Sequence, residues 1–246
     1  MTKNSVDIHV MNVSKHFGPI DALRDVSMDF VPGHLYGVIG PAGAGKTTLF
    51  RIILNLMRAH RGAVMYQIDG RSAPFSEFRQ HIAYMPQSQS LYADLSVDEH
   101  LDFFRKLYGI DAVDFARRRD ELLHLTRLDK FTKLPAGKLS GGMYKKLGLM
   151  CALLRSPRVM LLDEPTNGVD PISRREFWTL LHESLGRGIM VILSTAYMDE
   201  AERCSHVTLM ESGRVLDCGD PTDLLRRARA GTFDEFFIRR GGGRYD

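Results

Sequence analysis

The chain has 246 residues, 44% of them hydrophobic, enough to bury a substantial core as one large or two modest domains. Its 33 basic and 30 acidic residues leave a formal charge of +3, a balanced surface with no strong electrostatic case for nucleic acid or an anionic membrane. No apolar run approaches the roughly 18 residues that span a bilayer, the start lacks the apolar core of a signal peptide, and Cys151, Cys204 and Cys218 show no CxxC or CxxH spacing; a disulfide framework and a zinc site are disfavoured, and a reducing, cytoplasmic setting is expected.

Alternation of apolar and polar residues over Val6 to Val13 and again over Val26 to Val31 predicts antiparallel strands near the start. "LYGVIG", Leu35 to Gly40, reads as a buried strand entering a glycine-rich turn, and apolar residues at helical spacing predict a helix over Lys46 to Met57. From about Ser96 to Leu154 the pattern is mostly helical, in the three amphipathic segments "VDEHLDFFRKLY", "FARRRDELLHLTRL" and "MYKKLGLMCALL", closed by Pro157. "RVMLLDEP" returns to a buried strand. Asp170 before Pro171 marks a helix start, Ile189 to Leu193 a further strand, "VTLMESGRVLDCG" a hairpin about Ser212-Gly213, and Asp220 before Pro221 a last helix start. "RRGGGRYD" at the end has no periodicity.

Strand, loop and helix together frame "GPAGAGKTT", Gly40 to Thr48, which satisfies G-x-x-x-x-G-K-[ST] in the context that motif requires. Glycines let backbone N–H groups converge on phosphate oxygens, and the helix that follows offers its N-terminal dipole. Lys46 can reach the β- and γ-phosphates, the Thr47 hydroxyl can ligate Mg²⁺, and Thr48 can add a donor. The expected ligand is a nucleoside triphosphate.

The strand "VMLLD" ends in adjacent carboxylates, Asp163 and Glu164. Side chains alternate along a strand, so the two cannot share a role: Asp163 can take Mg²⁺, and Glu164 can face an attacking water as general base.

Between these motifs lies "KLSGGMYKKLGL", and with it nearly the whole chain resembles the ATP-binding cassette (ABC) ATPases, the nucleotide-binding subunits of ABC transporters. The resemblance implies an α/β fold: a P-loop NTPase core with a mixed sheet, an N-terminal antiparallel β subdomain and a helical subdomain of about residues 88–156 inserted in a single 1–235 domain, followed by a tail over 236–246. It makes Gly40, Pro41, Ala42, Gly43, Ala44, Gly45, Lys46, Thr47 and Thr48 the Walker A loop, Val159 to Glu164 Walker B, Gln87 the Q-loop residue near metal and water, and Ser140, Gly141 and Gly142 the nucleotide-facing part of the signature. "NGVD", Asn167 to Asp170, resembles the D-loop, and Phe17 stands where the family places an aromatic that stacks on adenine. Thr47, Gln87 and Asp163 are the implied metal residues, and Glu164, Lys46 and Gln87 the catalytic ones. Residue by residue, Ser140 to Gly142 also fit a plain serine N-cap, Gln87 a loop cap and Phe17 a core position.

The resemblance further implies ATP and Mg²⁺ as ligands, a head-to-tail dimer with a second cassette, as homodimer, heterodimer or tandem fusion, and transmembrane permease subunits docked near Gln87 to Asp98. It places the chain in the cytoplasm, peripheral on the inner face of the cell membrane. Flanking text such as "STAYMDEAE" and "TFDEFFIRR" looks most like ATPases of bacterial drug or polymer exporters. Two departures stand out: Met143 and Lys146 replace the glutamine and arginine that usually follow the signature, and Ala196 occupies the place of the switch histidine. A methyl group donates no hydrogen bond, so slow turnover, or a regulatory cassette of an asymmetric pair, is the alternative expectation. A ribosome-directed ABC ATPase is a third reading, but no basic arm, long charged linker or coiled-coil insertion is visible.

Overall fold

A computed structural model describes residues 5–240. In chain order the strands and helices are β1 (Val6–Phe17), β2 (Ile20–Phe30), β3 (Leu35–Ile39), α1 (Lys46–Ile53), β4 (Arg61–Ile68), β5 (Arg71–Ala73), α2 (Phe75–Phe78), β6 (Ile82–Met85), α3 (Val97–Tyr108), α4 (Ala112–Thr126), α5 (Gly141–Leu153), β7 (Val159–Asp163), α6 (Pro171–Gly186), β8 (Met190–Thr195), β9 (His206–Glu211), β10 (Arg214–Gly219), α7 (Pro221–Ala228) and α8 (Phe233–Arg240). An antiparallel sheet has the order β2-β1-β4-β5, and a mixed sheet the order β10-β9-β3-β8-β7-β6, parallel except for the β9–β10 hairpin.

Strands β3, β7 and β8 are buried along their whole length because both faces of the mixed sheet are covered. Alternation sends Val159 and Leu161 of β7 into the core shared with α1 and the antiparallel sheet, and Met160 and Leu162 into the core built on the α5 and α6 side. The carboxyl ends of β3, β7 and β8 therefore converge on one rim, where the sequence places its polar residues. Expected helix starts are found: Asp170 accepts from the N–H groups of Ile172 and Ser173, and Asp220 from those of Thr222 and Asp223, each with proline at the first helical position. Helix α3 opens with a full capping box between Ser96 and Glu99.

The structure differs from the sequence expectation at several places. The first two strands run on to a tight turn at Gly18-Pro19; register shifts after Val10 and Val13 break the alternation that would have revealed this. The hairpin β4–β5 turns at Asp69-Gly70, both with positive φ, a two-residue turn signal not read from the sequence. Helix α1 stops at Ile53 rather than Met57, closing through Asn55 at φ 52°. The boundary expected at residue 236 falls inside α8, whose Phe236 and Phe237 are buried in the core; the rest of the expected tail, residues 241–246, lies outside the described residues.

Candidate functional site

The phosphate-loop motif forms the link between β3 and α1. A Cβ on Gly40 would stand 2.1 Å from the carbonyl oxygen of Met210, so only glycine lets the loop leave the sheet beside β9. Gly45 caps α1 at φ 104°, and the N–H groups of Gly43 and of Gly45 to Thr48 have no acceptor among the described residues. Such a row of free amides at a positive helix end is an anion cradle. Lys46 is 5% exposed; its ammonium donates to the carbonyls of Gly40 (2.6 Å) and Pro41 (3.0 Å) and pairs with Glu164 Oε1 at 3.1 Å.

Asp163 and Glu164 do take different positions. Asp163 Oδ1 accepts from the hydroxyls of Thr47 (3.2 Å) and Ser194 (2.5 Å), and Oδ2 from Tyr84 at 3.4 Å. Burial, with Asp163 adding to it, pushes the Tyr84 phenol up to about 12, so it stays a donor. Glu164 adopts φ 48°, a left-handed backbone uncommon outside glycine, and its N–H donates to both the carbonyl and the hydroxyl of Ser194, each at 3.1 Å. Its Oε2 accepts from the backbone N–H of Ala196 at 3.2 Å. Ser194, Tyr84 and the Ala196 amide were not among the residues singled out from the sequence; the polar "ST" ending a buried strand was the available signal.

A cleft of about 530 Å³ spans Ala42 to Thr48, Gln87 and Glu164 on one side and Phe17, Ile20 and Arg24 on the other. Phe17, 46% exposed, is thus a wall of this cleft rather than a core residue. Gly40 and Pro41 form the base of the loop, giving their carbonyls to Lys46. Among the described residues no group of His, Cys, Asp and Glu could hold a metal by itself. Thr47 and Asp163, with Gln87 on the cleft wall, are instead oxygen donors of the kind that would hold a Mg²⁺.

Ser140, Gly141 and Gly142 do not line this cleft. Ser140 is exposed and caps α5, accepting from the N–H of Met143 at 3.3 Å; a Cβ on Gly142 would meet Ser173 at 2.4 Å, so α5 packs directly on the start of α6. Lys146 is buried and pairs with Glu176 at 2.5 Å, fixing the same two helices together. Burial lowers the pKa of its neighbour Lys145, against the opposing pull of Asp163 and Glu164.

The segment after Ala196 is tied to the segment after Glu164. Tyr197 donates to Asn167 Oδ1 at 3.4 Å and lies under the Arg174 guanidinium, 4.6 Å from ring centre to Cζ. Arg174 donates to Asp199 and to the fully buried Glu200, whose Oε1 also accepts from Thr166 (2.8 Å) and Trp178 (3.1 Å).

A family model described as "ABC transporter" matches residues 23–167. The chain is 39% identical over 234 residues to the probable multidrug ABC transporter ATP-binding protein YbhF of Escherichia coli, an alignment covering 94% of this chain and 40% of that protein. It therefore spans well under half of that relative's length. It is 33% identical to a Nod factor export ATP-binding protein I of Cupriavidus metallidurans, covering 89% of this chain and 72% of the relative. Among solved structures, an ATP-binding subunit of an ABC transporter superposes with a TM-score of 0.82 at 29% identity, covering 95% of this chain and 99% of that one.

Proposed function

This chain belongs to the ABC transporter family of ATP-binding proteins, and from that premise we propose that it is the ATP-hydrolysing subunit of an export-type transporter, working by head-to-tail closure with a second cassette over two nucleotides. The observation that carries this reading is the placement of Glu164: buried, held 3.1 Å from Lys46 and anchored by the Ala196 amide, at the mouth of a cradle of free amides. The export assignment rests on the names of the relatives.

ATP is the substrate. The amides of Gly43 and Gly45 to Thr48 bind its phosphates, Lys46 leaves Glu164 for phosphate oxygens, and Phe17 offers a face to the base. Mg²⁺, when bound, offsets charge on the phosphate oxygens, with Thr47, Asp163 and Gln87 as the residues that would hold it. Glu164, released from Lys46 and still oriented by the Ala196 N–H, accepts a proton from the attacking water. Ser140 and Gly141, exposed, and Gly142, packed on the start of α6, lie outside the lining of their own cleft and complete the site of the partner cassette. The helices α3 to α5 act as a unit inserted between β6 and β7, and the Gln87 to Asp98 segment, with exposed Tyr92, receives a membrane permease subunit at the inner face of the membrane. No nucleic acid is required by this reading.

One observation favours a second reading. At Ala196 the only donor is the backbone N–H, and it already holds Glu164, so nothing there is left to contact a γ-phosphate. A slow or non-hydrolysing cassette, whose intact signature serves a faster partner, follows from that. ATP turnover of the parent chain and Glu164→Gln, alone and with the membrane partner, separates the readings: an ATPase loses its activity on substitution, whereas equal inertness favours the regulatory cassette. Recovery with ribosomes and no response to any membrane subunit would displace both.

A further inference from the structure

A second cavity, of about 540 Å³, opens where α4 meets the end of α6 and the Ser156 to Arg158 connector. It lies at the amino ends of β7 and β8, the opposite edge of the sheet from the cleft that holds Lys46 and Glu164. Its size is that of a small-molecule site, and Leu122, Leu125, Leu153 and Ile189 give it an apolar wall.

The polar lining is unequal in charge. Arg118, Arg158 and Arg187 line the cavity against one lining acid, Glu121, while from outside the lining Asp114 stands 3.7 Å from the Arg118 guanidinium. Arg187 is paired with Glu121, and Arg118 gives one N–H to the carbonyl of Leu154 at 3.0 Å. Arg158 differs: its Nη1 is buried and donates no hydrogen bond, and its ion-pair partner, Asp69 Oδ1, stands 3.5 Å away. A buried guanidinium N–H without a hydrogen-bond acceptor, beside an apolar wall and in a lining with more arginines than acids, is complementary to an anionic head carried on an apolar body.

We infer that this cavity binds an amphipathic carboxylate, its head on Arg158 and its chain against Leu122, Leu125, Leu153 and Ile189. The inference is independent of the transport reading, since it uses no residue of the nucleotide cleft. It also has a structural consequence. Arg158 and Ile189 immediately precede β7 and β8, whose far ends carry Asp163 and the Ser194 to Ala196 segment, so the occupied cavity borders both strands that position Glu164.

The probe is octanoate, titrated calorimetrically into the whole chain below its micelle-forming concentration, with 1-octanol as the neutral analogue. The expected result is saturable binding of one octanoate per chain, unchanged by excess Mg-ADP and not reproduced by 1-octanol. Arg158→Gln weakens it about tenfold or more by removing the charged donor, and Leu125→Trp, which fills the cavity, abolishes it. Ser184→Phe fills the same space from α6 should Leu125→Trp unfold. Absence of saturable binding, displacement by Mg-ADP, equal binding of 1-octanol, or binding unaffected by Arg158→Gln and by the filling variant each overturns the inference.

Discussion

The backbone N–H of Ala196 donates to Oε2 of Glu164 at 3.2 Å, so the residue whose side chain offers no donor still orients the carboxylate through its main chain. Because a histidine here keeps that N–H and adds an imidazole, Ala196→His is expected to preserve the Glu164 geometry and supply the missing γ-phosphate contact. Steady-state ATP turnover should rise by about a hundredfold to a thousandfold if the gain resembles that of one oxyanion-hole donor. Glu164→Gln in the same assay should lower turnover by about a hundredfold to ten-thousandfold while nucleotide binding persists. No rise with histidine, alongside loss with glutamine, would show that Ala196 does not limit the rate.

Gly40 and Gly43 separate two reasons for glycine in one loop. At Gly40 an added Cβ meets the Met210 carbonyl at 2.1 Å, whereas at Gly43, φ 80°, it meets nothing within 4 Å. Gly43→Ala should therefore cost only the left-handed strain, about 1–2 kcal/mol, while Gly40→Ala must displace backbone and carry the whole loop with it. Thermal melting with and without ATP checks this: Gly40→Ala should lose most of the ATP-induced rise in melting temperature, and Gly43→Ala should keep more of it.

What the sequence made legible, and what it hid, divides along physical lines. The rim of polar side chains at the strand ends was readable because each motif sits where a short apolar strand gives way to glycine or acid, as at Ile39-Gly40 and Leu162-Asp163. The β1–β2 hairpin was only partly readable, since bulges break the alternation and its tip residues Phe17 and Ile20 are 46% and 68% exposed, facing ligand space rather than core. Ser194 was signalled only as a polar residue ending a buried strand, because its two bonds, made across strands to Asp163 and Glu164, are encoded by no local pattern. Asp69-Gly70, by contrast, was a turn signal in plain view.

Ser194 is a strut for both carboxylate residues, giving its proton to Asp163 and taking one from the Glu164 N–H. Ser194→Ala leaves a fully buried Asp163 oxygen with Thr47 alone and loosens the left-handed backbone at Glu164. The expected cost is about 1–3 kcal/mol of stability, together with a higher Mg²⁺ concentration for half-maximal turnover. Chemical denaturation and a Mg²⁺ titration read the two effects separately, and an unchanged Mg²⁺ requirement would confine Ser194 to a structural role.

Burial first, and then the neighbouring His34, holds the His206 imidazole below its ordinary value of 6.5, and burial does the same at His81, aided by Arg158 and Arg155. For a histidine with a lowered folded-state value, the unfolded chain takes up its proton at the higher pH. Stability is then complete above about pH 6.5 and falls as pH drops from there through the lowered folded value. The carboxylates that hydrogen bonds hold low, Glu99, Asp111 and Asp170 among them, act in the same sense but only in the more acidic range below their ordinary values near 4, so the two sets of groups separate in pH. Melting temperatures between about pH 7.5 and 5.5 should accordingly decline in the parent chain, and His206→Gln, which cannot take up a proton, should show a shallower decline whatever its absolute stability. Equal slopes for the two proteins would mean that His206 reaches its ordinary value in the folded state, and that the His34–Tyr36–His206 contacts leave the imidazole as well solvated as in the unfolded chain.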